Sequence, residues 1–253
     1  MKVIEEPQLA VKRKLPWPID ILLYPTSVSG IIHLVIFLLV PLLIKKLVFI
    51  YFGIVSLVLY TLFVGYVFYY LGHCVFHSSK GGWRAPDISI YNAPDRGELI
   101  SQLFLMLGCI AVCFCPAAIY YVITERTDLL FWLLSAYGFF FLPMVLLTVV
   151  MFDSVDALNP IVIIRSIFRT FLPYCGLVLV FCVLGGLVAP IISNLPKPYA
   201  LQQTLFYLCM VLDYLLGTAF IYQKIAFIYL AMVAAHLLGR FYCWYKDKLD
   251  WEI

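Results

Sequence analysis

Charge is what this sequence has least of. Only 12% of its 253 residues are Asp, Glu, Lys or Arg, about half the roughly 25% of an ordinary soluble domain. Hydrophobic side chains make up 64% and the mean hydropathy is +1.01. Several apolar runs come near the ~20 residues needed to cross a bilayer, so the composition reads as a polytopic integral membrane protein. Long polar stretches are missing too. None approaches the roughly 50 residues of a small soluble domain, which leaves an interfacial segment over 1–27 and a single transmembrane helical domain over 28–253. A net charge of +3 is too small to point to nucleic acid. The basic residues gather instead at span ends, where the positive-inside effect places them.

Catalytic signatures are equally scarce. The chain has no CxxC pair, no GxxxxGK[ST] phosphate loop and no GxSxG nucleophile elbow. Four histidines are too few for the clustered boxes of membrane desaturases and hydroxylases. The eight cysteines lie mostly inside apolar runs, so they read as small hydrophobes rather than a disulfide framework. Cys109 and Cys113 share one helical face and are expected to pack.

What is present is a series of apolar runs interrupted by one substantial polar segment, Gly72–Glu98. Ahead of it, Lys12-Arg13-Lys14 followed by an apolar run imitates a signal peptide. No small-residue cleavage site follows, so the segment is expected in the mature protein. Trp17 and Tyr24 are expected at the headgroup level. Val28–Ile44 and Leu47–Leu71 read as a hairpin of two crossings with Lys45-Lys46 at its tip, the alternative being a first run that dips in and returns on the same side. Leu99–Ile123 and Leu129–Phe152 give the third and fourth spans. In Asp153–Phe171, Asn159 can cap a helix and Pro160 suits its first position. Ile161, Ile164, Phe168 and Phe171 then recur at helical spacing, with Arg165 and Arg169 on the other side. This pattern predicts an in-plane amphipathic helix whose arginines contact lipid phosphate. Pro173 is expected to break or bend it before a fifth span that reaches about Ile192, where Gly176, Gly185 and Gly186 would allow close helix approach.

The last apolar region, Leu201–Tyr242, would form a helix about twice the length of a ~30 Å hydrocarbon core. It reads as one span or two. Six spans, within a range of five to seven, put most of the basic residues inside together with both termini and Gly72–Glu98. The fold class is thus an all-α transmembrane bundle of six helices plus an in-plane helix.

Few residues stand out chemically. His73 and His77 are four apart and share a helical face, half of a zinc site, but Cys74 stands where HExxH has its glutamate and no third ligand is identifiable. His33 and His236 lie inside spans. Pairing across helices would make a bis-imidazole haem, whereas hydrogen bonding within the bundle is the plainer reading. Asp213 and Lys224 are ionisable within an apolar region, by default a functional-site hypothesis. Asp213 either carries a proton or ion or makes a structural hydrogen bond, with Tyr207, Tyr214 and Gln223 as local polar partners. In Gly72–Glu98, three basic and three acidic residues cancel, and the turns at Gly81-Gly82 and Pro94-Asp95 suggest a structured loop over the bundle.

About residues 153–253, the chain resembles bacterial multi-span membrane proteins of unknown function that are similar to the Yip-type membrane proteins. The resemblance rests on DALNPIVIIRSIFRTFLPY and on HLLGRFYCWYKDKLDWEI. It implies a compact helical membrane domain without catalytic residues, engaged in membrane organisation or partner recruitment, in the bacterial inner (cytoplasmic) membrane. The leading expectation is therefore a non-catalytic protein that packs against the lipid bilayer, other membrane proteins or itself, as a scaffold, assembly factor or accessory subunit, with no cofactor. A transporter or channel using Asp213 is the alternative, and a haem or zinc protein using the histidines the second.

Overall fold

In the computed structural model, residues 17–48, 53–87, 94–154, 158–193, 221–249 and 251 are described. Their regular structure is helical throughout: α1 Trp17–Leu22, a 3-10 turn Tyr24–Thr26, α2 Val28–Val48, α3 Gly53–Ser79, α4 Arg96–Thr124, α5 Leu129–Phe152, α6 Pro160–Arg169, α7 Phe171–Ser193 and α8 Ile221–Leu249. Among the described residues, α3, α4, α5 and α8 are long and apolar enough to cross a membrane. The bent pair α6 and α7 brings the number to five if it counts as one span, and the shorter apolar stretch Val28–Ile44 lies in α2. Asp213 and much of the last apolar region lie outside the described residues.

The bundle encloses a mostly apolar core that holds a few polar side chains, and much of its exterior is apolar as well, unlike that of a soluble domain. His33, Ser78, Thr148, Ser166, Thr170, His236 and Arg240 are buried, while Phe104, Val122, Ile123, Leu129 and Trp132 point outward. Lipid solvates such an exterior. Because acyl chains are as apolar as leucine, close packing and polar contacts hold the helices together instead of a hydrophobic driving force. Helix α8 is the centre of this packing, touching α1, the 3-10 turn, α2, α3, α5, α6 and α7.

Local chemistry sets the helix ends. Gly81 adopts a φ of 92°, which lets Gly82 N–H donate to the His77 carbonyl and Gly81 N–H to the Ser78 carbonyl. That is a Schellman cap, and it ends α3 at Ser79. Asp95 begins α4 by accepting from Arg96 N–H at 2.7 Å. Asp128 caps α5, accepting from Phe131 N–H at 3.2 Å and from the Tyr120 hydroxyl at 2.6 Å. The Tyr120 bond and then the backbone bond hold the Asp128 carboxyl below its ordinary range.

Several expectations are corrected here. Helix α2 runs through Lys45 and Lys46 to Val48, so those lysines are helical rather than the hairpin tip. Tyr24 faces the bundle rather than lipid: it is fully buried and stacked on His236 with ring centroids 3.9 Å apart. The bend after α6 falls at Thr170, and Pro173 sits in the first turn of α7. There its missing N–H leaves no bond unmade. A Cβ added at Gly176, Gly185 or Gly186 would meet nothing within 4 Å, so these glycines do not mediate close approach among the described residues. Gly138 and Gly239 do, at the α4–α5 and α3–α8 contacts. A Cβ on Gly138 would lie 2.7 Å from the Cys113 carbonyl oxygen.

Candidate functional site

Two polar regions stand out: a buried seam among α2, α3 and α8, and an end face where residues 80–87 and α6 meet the bundle. The seam begins at the start of α2, where Ser27 Oγ accepts from Gly30 N–H at 3.3 Å as an N-cap. The same oxygen accepts from Ala85 N–H at 3.2 Å, and Ser29 Oγ donates to the Pro86 carbonyl at 2.6 Å. The polar connection is thereby fastened over the end of α2, as the sequence suggested. A second fastening comes from Arg240 of α8. It is buried, with its guanidinium 3.9 Å from the Trp83 ring centroid and 5.2 Å from that of Trp244. An arginine held against tryptophan away from water gains about 2 kcal/mol, enough to pin Trp83.

Deeper in the seam the two span histidines occupy separate stacks. His33 Nδ1–H donates to the Ser29 carbonyl at 2.8 Å, and its ring lies 3.9 Å from Tyr70, nearly parallel at 16°. His236 stacks likewise on Tyr24, and its Nδ1 is joined to Ser78 Oγ by a 2.7 Å hydrogen bond. Each imidazole thus has a tyrosine stacked on its face and a hydrogen bond at Nδ1. Cys74 is fully buried and faces both tyrosines. Tyr24, in the turn before α2, has its hydroxyl held above its ordinary titration range by burial. Cys109 and Cys113 are buried in the core as expected, and the described cysteines are all free.

At the end face, α3 continues as a helix through His73 and His77, so the two do lie four apart on one helix. His77 packs over Gly82, whereas His73 lines a cleft. No group of three His, Cys, Asp or Glu that could hold a metal ion occurs among the described residues. The cleft collects Tyr69, His73 and Phe76 from α3, Glu98 and Gln102 from α4, and Asp153 at the end of α5. Asp153 is the C-cap of α5, with a φ of 48°, and Gln102 Nε2 donates to its Oδ1 at 2.6 Å.

Helix α6 starts as predicted, with Asn159 Oδ1 accepting from Ile161 N–H at 3.0 Å and Pro160 following. It has three faces. Ile163, Ser166 and Ile167 dock on the bundle, Ile161, Ile164 and Phe168 form an exposed apolar face, and Arg165 and Arg169 form an exposed basic one. The chain then turns by 103° into α7. Arg169 also donates to the Leu249 carbonyl at 3.3 Å at the end of α8, and Trp251 Nε1–H donates to Ser166 Oγ at 2.8 Å. Arg165 is thus the freer of the two to meet solvent or lipid. Lys224 falls in the first turn of α8.

Sequence reasoning missed Arg240, although an arginine inside an apolar run is a strong signal. It also missed the cleft, whose polar residues are spread over three helices. No family model, curated protein or solved structure matches the chain.

Proposed function

We propose that this is a non-catalytic integral membrane protein that works by packing against other membrane proteins or itself, as a scaffold, assembly factor or accessory subunit. The observation supporting this is how the interior uses its reactive side chains. His33 is joined to Tyr70 and Ser29, His236 to Tyr24 and Ser78, and Arg240 to two tryptophans. Groups so engaged stiffen the bundle and its end face, which suits a docking body better than a reaction centre. The Yip-type resemblance fits the same reading. Its two stretches meet through Arg169, Leu249, Ser166 and Trp251.

On this reading the chain has six spans, α2 being one, and both termini and the 80–95 connection face the cytoplasm. Helix α6 then lies in the plane of the inner leaflet, its apolar face in the acyl boundary and Arg165 at lipid phosphate. An impermeant thiol reagent should reach a cysteine placed by Arg84→Cys only in broken cells, scored against the chain's own cysteines unaltered at 84. Modification from outside intact cells would reverse the orientation.

Asp213 separates packing from transport. As a hydrogen-bonding group between helices it should tolerate Asp213→Asn in every assay, because the amide keeps shape and bonding capacity. Asp213→Leu should lower stability by about 0.5–2 kcal/mol, the range of interhelical polar contacts in membranes. A flux across proteoliposome membranes that Asp213→Asn abolishes, with folded yield intact, would favour the transporter.

A further inference from the structure

The cleft at the end face has a volume of about 350 Å³, at the small end of the roughly 300–1,000 Å³ of ligand pockets. The bonding already made inside it determines what it has left to offer. Gln102 Nε2 donates to Asp153 Oδ1, so the Gln102 amide oxygen remains as an acceptor. The second oxygen of Asp153 and the carboxylate of Glu98 are acceptors as well. His73 Nε2 is enclosed and meets no hydrogen-bond partner. Both carboxylates act electrostatically on His73 and on Tyr69, so negative charge converges on one place from α4 and from the end of α5. No lysine or arginine lines the cleft among the described residues. Lys80 rests its ammonium 4.6 Å from the Phe76 ring centroid without entering the lining. The remaining wall combines the rings of Tyr69 and Phe76 with Gly72, Ser101, Val150 and Met151, and Tyr69 packs against His73 at 4.5 Å between ring centroids.

We propose that this cleft binds a small organic ammonium ion, a primary amine of ethanolamine size. An acceptor-rich, net-negative pocket whose wall includes the Tyr69 and Phe76 rings calls for a cation that carries N–H donors and a short alkyl stem. Bare metal ions fit less well. They need ligands gathered at about 2.0–2.6 Å, and no three His, Cys, Asp or Glu stand together in that way among the described residues. Ammonium hydrogens reach acceptors set wider apart, at about 2.8 Å each. The same group is offered by soluble ethanolamine and by the headgroup of phosphatidylethanolamine.

The test uses the full chain in nanodiscs of phosphatidylcholine and phosphatidylglycerol, titrated with labelled ethanolamine. Saturable binding is expected, weakened at least about tenfold when Glu98→Gln and Asp153→Asn remove two charge-assisted hydrogen bonds. Asparagine tolerates the left-handed backbone at 153 and still accepts from Gln102, and an unchanged melting temperature verifies the fold. Should the double variant misfold, Glu98→Gln alone, at an exposed position, carries the same prediction with a smaller loss. Choline, which lacks N–H donors, should compete poorly. Adding phosphatidylethanolamine to the discs distinguishes the sources: displacement of the label assigns the site to the lipid headgroup, and no displacement assigns it to a free amine. Absence of saturable binding, equal binding by the isosteric variants, or displacement by millimolar Mg²⁺ as effective as by unlabelled ethanolamine would overturn the proposal.

Discussion

Gly239→Leu is expected to leave almost no folded protein, and Gly239→Ala to lower stability by about 1–3 kcal/mol, the usual penalty for forcing atoms into a filled interior. The reason is the contact of α8 with α3. A Cβ at 239 would fall on the Val75 carbonyl oxygen and against Ser78 and Ser79. Two of those obstacles are backbone atoms of a helix that cannot rotate aside. Relief requires the helices to separate, and separation breaks the Ser78–His236 bond and lifts Arg240 from Trp83. Gly176→Ala is the control, since a Cβ there meets nothing and alanine favours the helix by up to about 1 kcal/mol. Unfolding in mild detergent, followed by circular dichroism against added dodecyl sulfate, reads both changes. Equal stability of Gly239→Ala and the native chain would mean that α3 and α8 do not approach as described.

His236→Ala should cost about 3 kcal/mol or more, the second large effect. It removes a buried ring stacked on Tyr24, leaves a cavity, and strands the Ser78 hydroxyl in the core. Aromatic truncation of this kind costs about 3–5 kcal/mol, and an unpaired buried hydroxyl about 1–3 kcal/mol. His236→Phe separates the two contributions by keeping the ring and losing only the bonds. Ser78→Ala in that background should recover part of the loss, because replacing both partners by apolar groups is nearly neutral. No recovery in the double variant would show that the Ser78–His236 bond contributes nothing.

How much of this was legible in the sequence follows from the physics of each element. Helix α6 was readable in detail, from the Asn159 cap to the basic face, because it is amphipathic and carries its own start signal. The bounds of α5 were readable because polar residues flank an unbroken apolar run. Facing within the spans was not. A helix that is apolar all round has no stripe to say which side packs: the sequence points to Gly176, Gly185 and Gly186 as contact glycines, whereas Gly65, Gly138 and Gly239 are among those that meet a neighbouring helix's backbone. The burial of Tyr24 was not legible for a related reason. An aromatic before a span suits an interface equally well, and only the position of His236 on α8 draws it inward. The cleft joins residues of α3, α4 and the end of α5, and no local periodicity reports a meeting of three helices. Arg240 was the avoidable omission, since its charge inside an apolar run needed no structure to be noticed.

The central claim is that this protein works by association rather than by chemistry. Its most direct test is the native mass of the full chain extracted with its surrounding lipid, without prior solubilisation in detergent. The account predicts a stoichiometric assembly, either further copies of this 29.0 kDa chain or one defined membrane-protein partner, with no haem absorbance and no bound zinc. A lone chain that carries stoichiometric haem or zinc would contradict it.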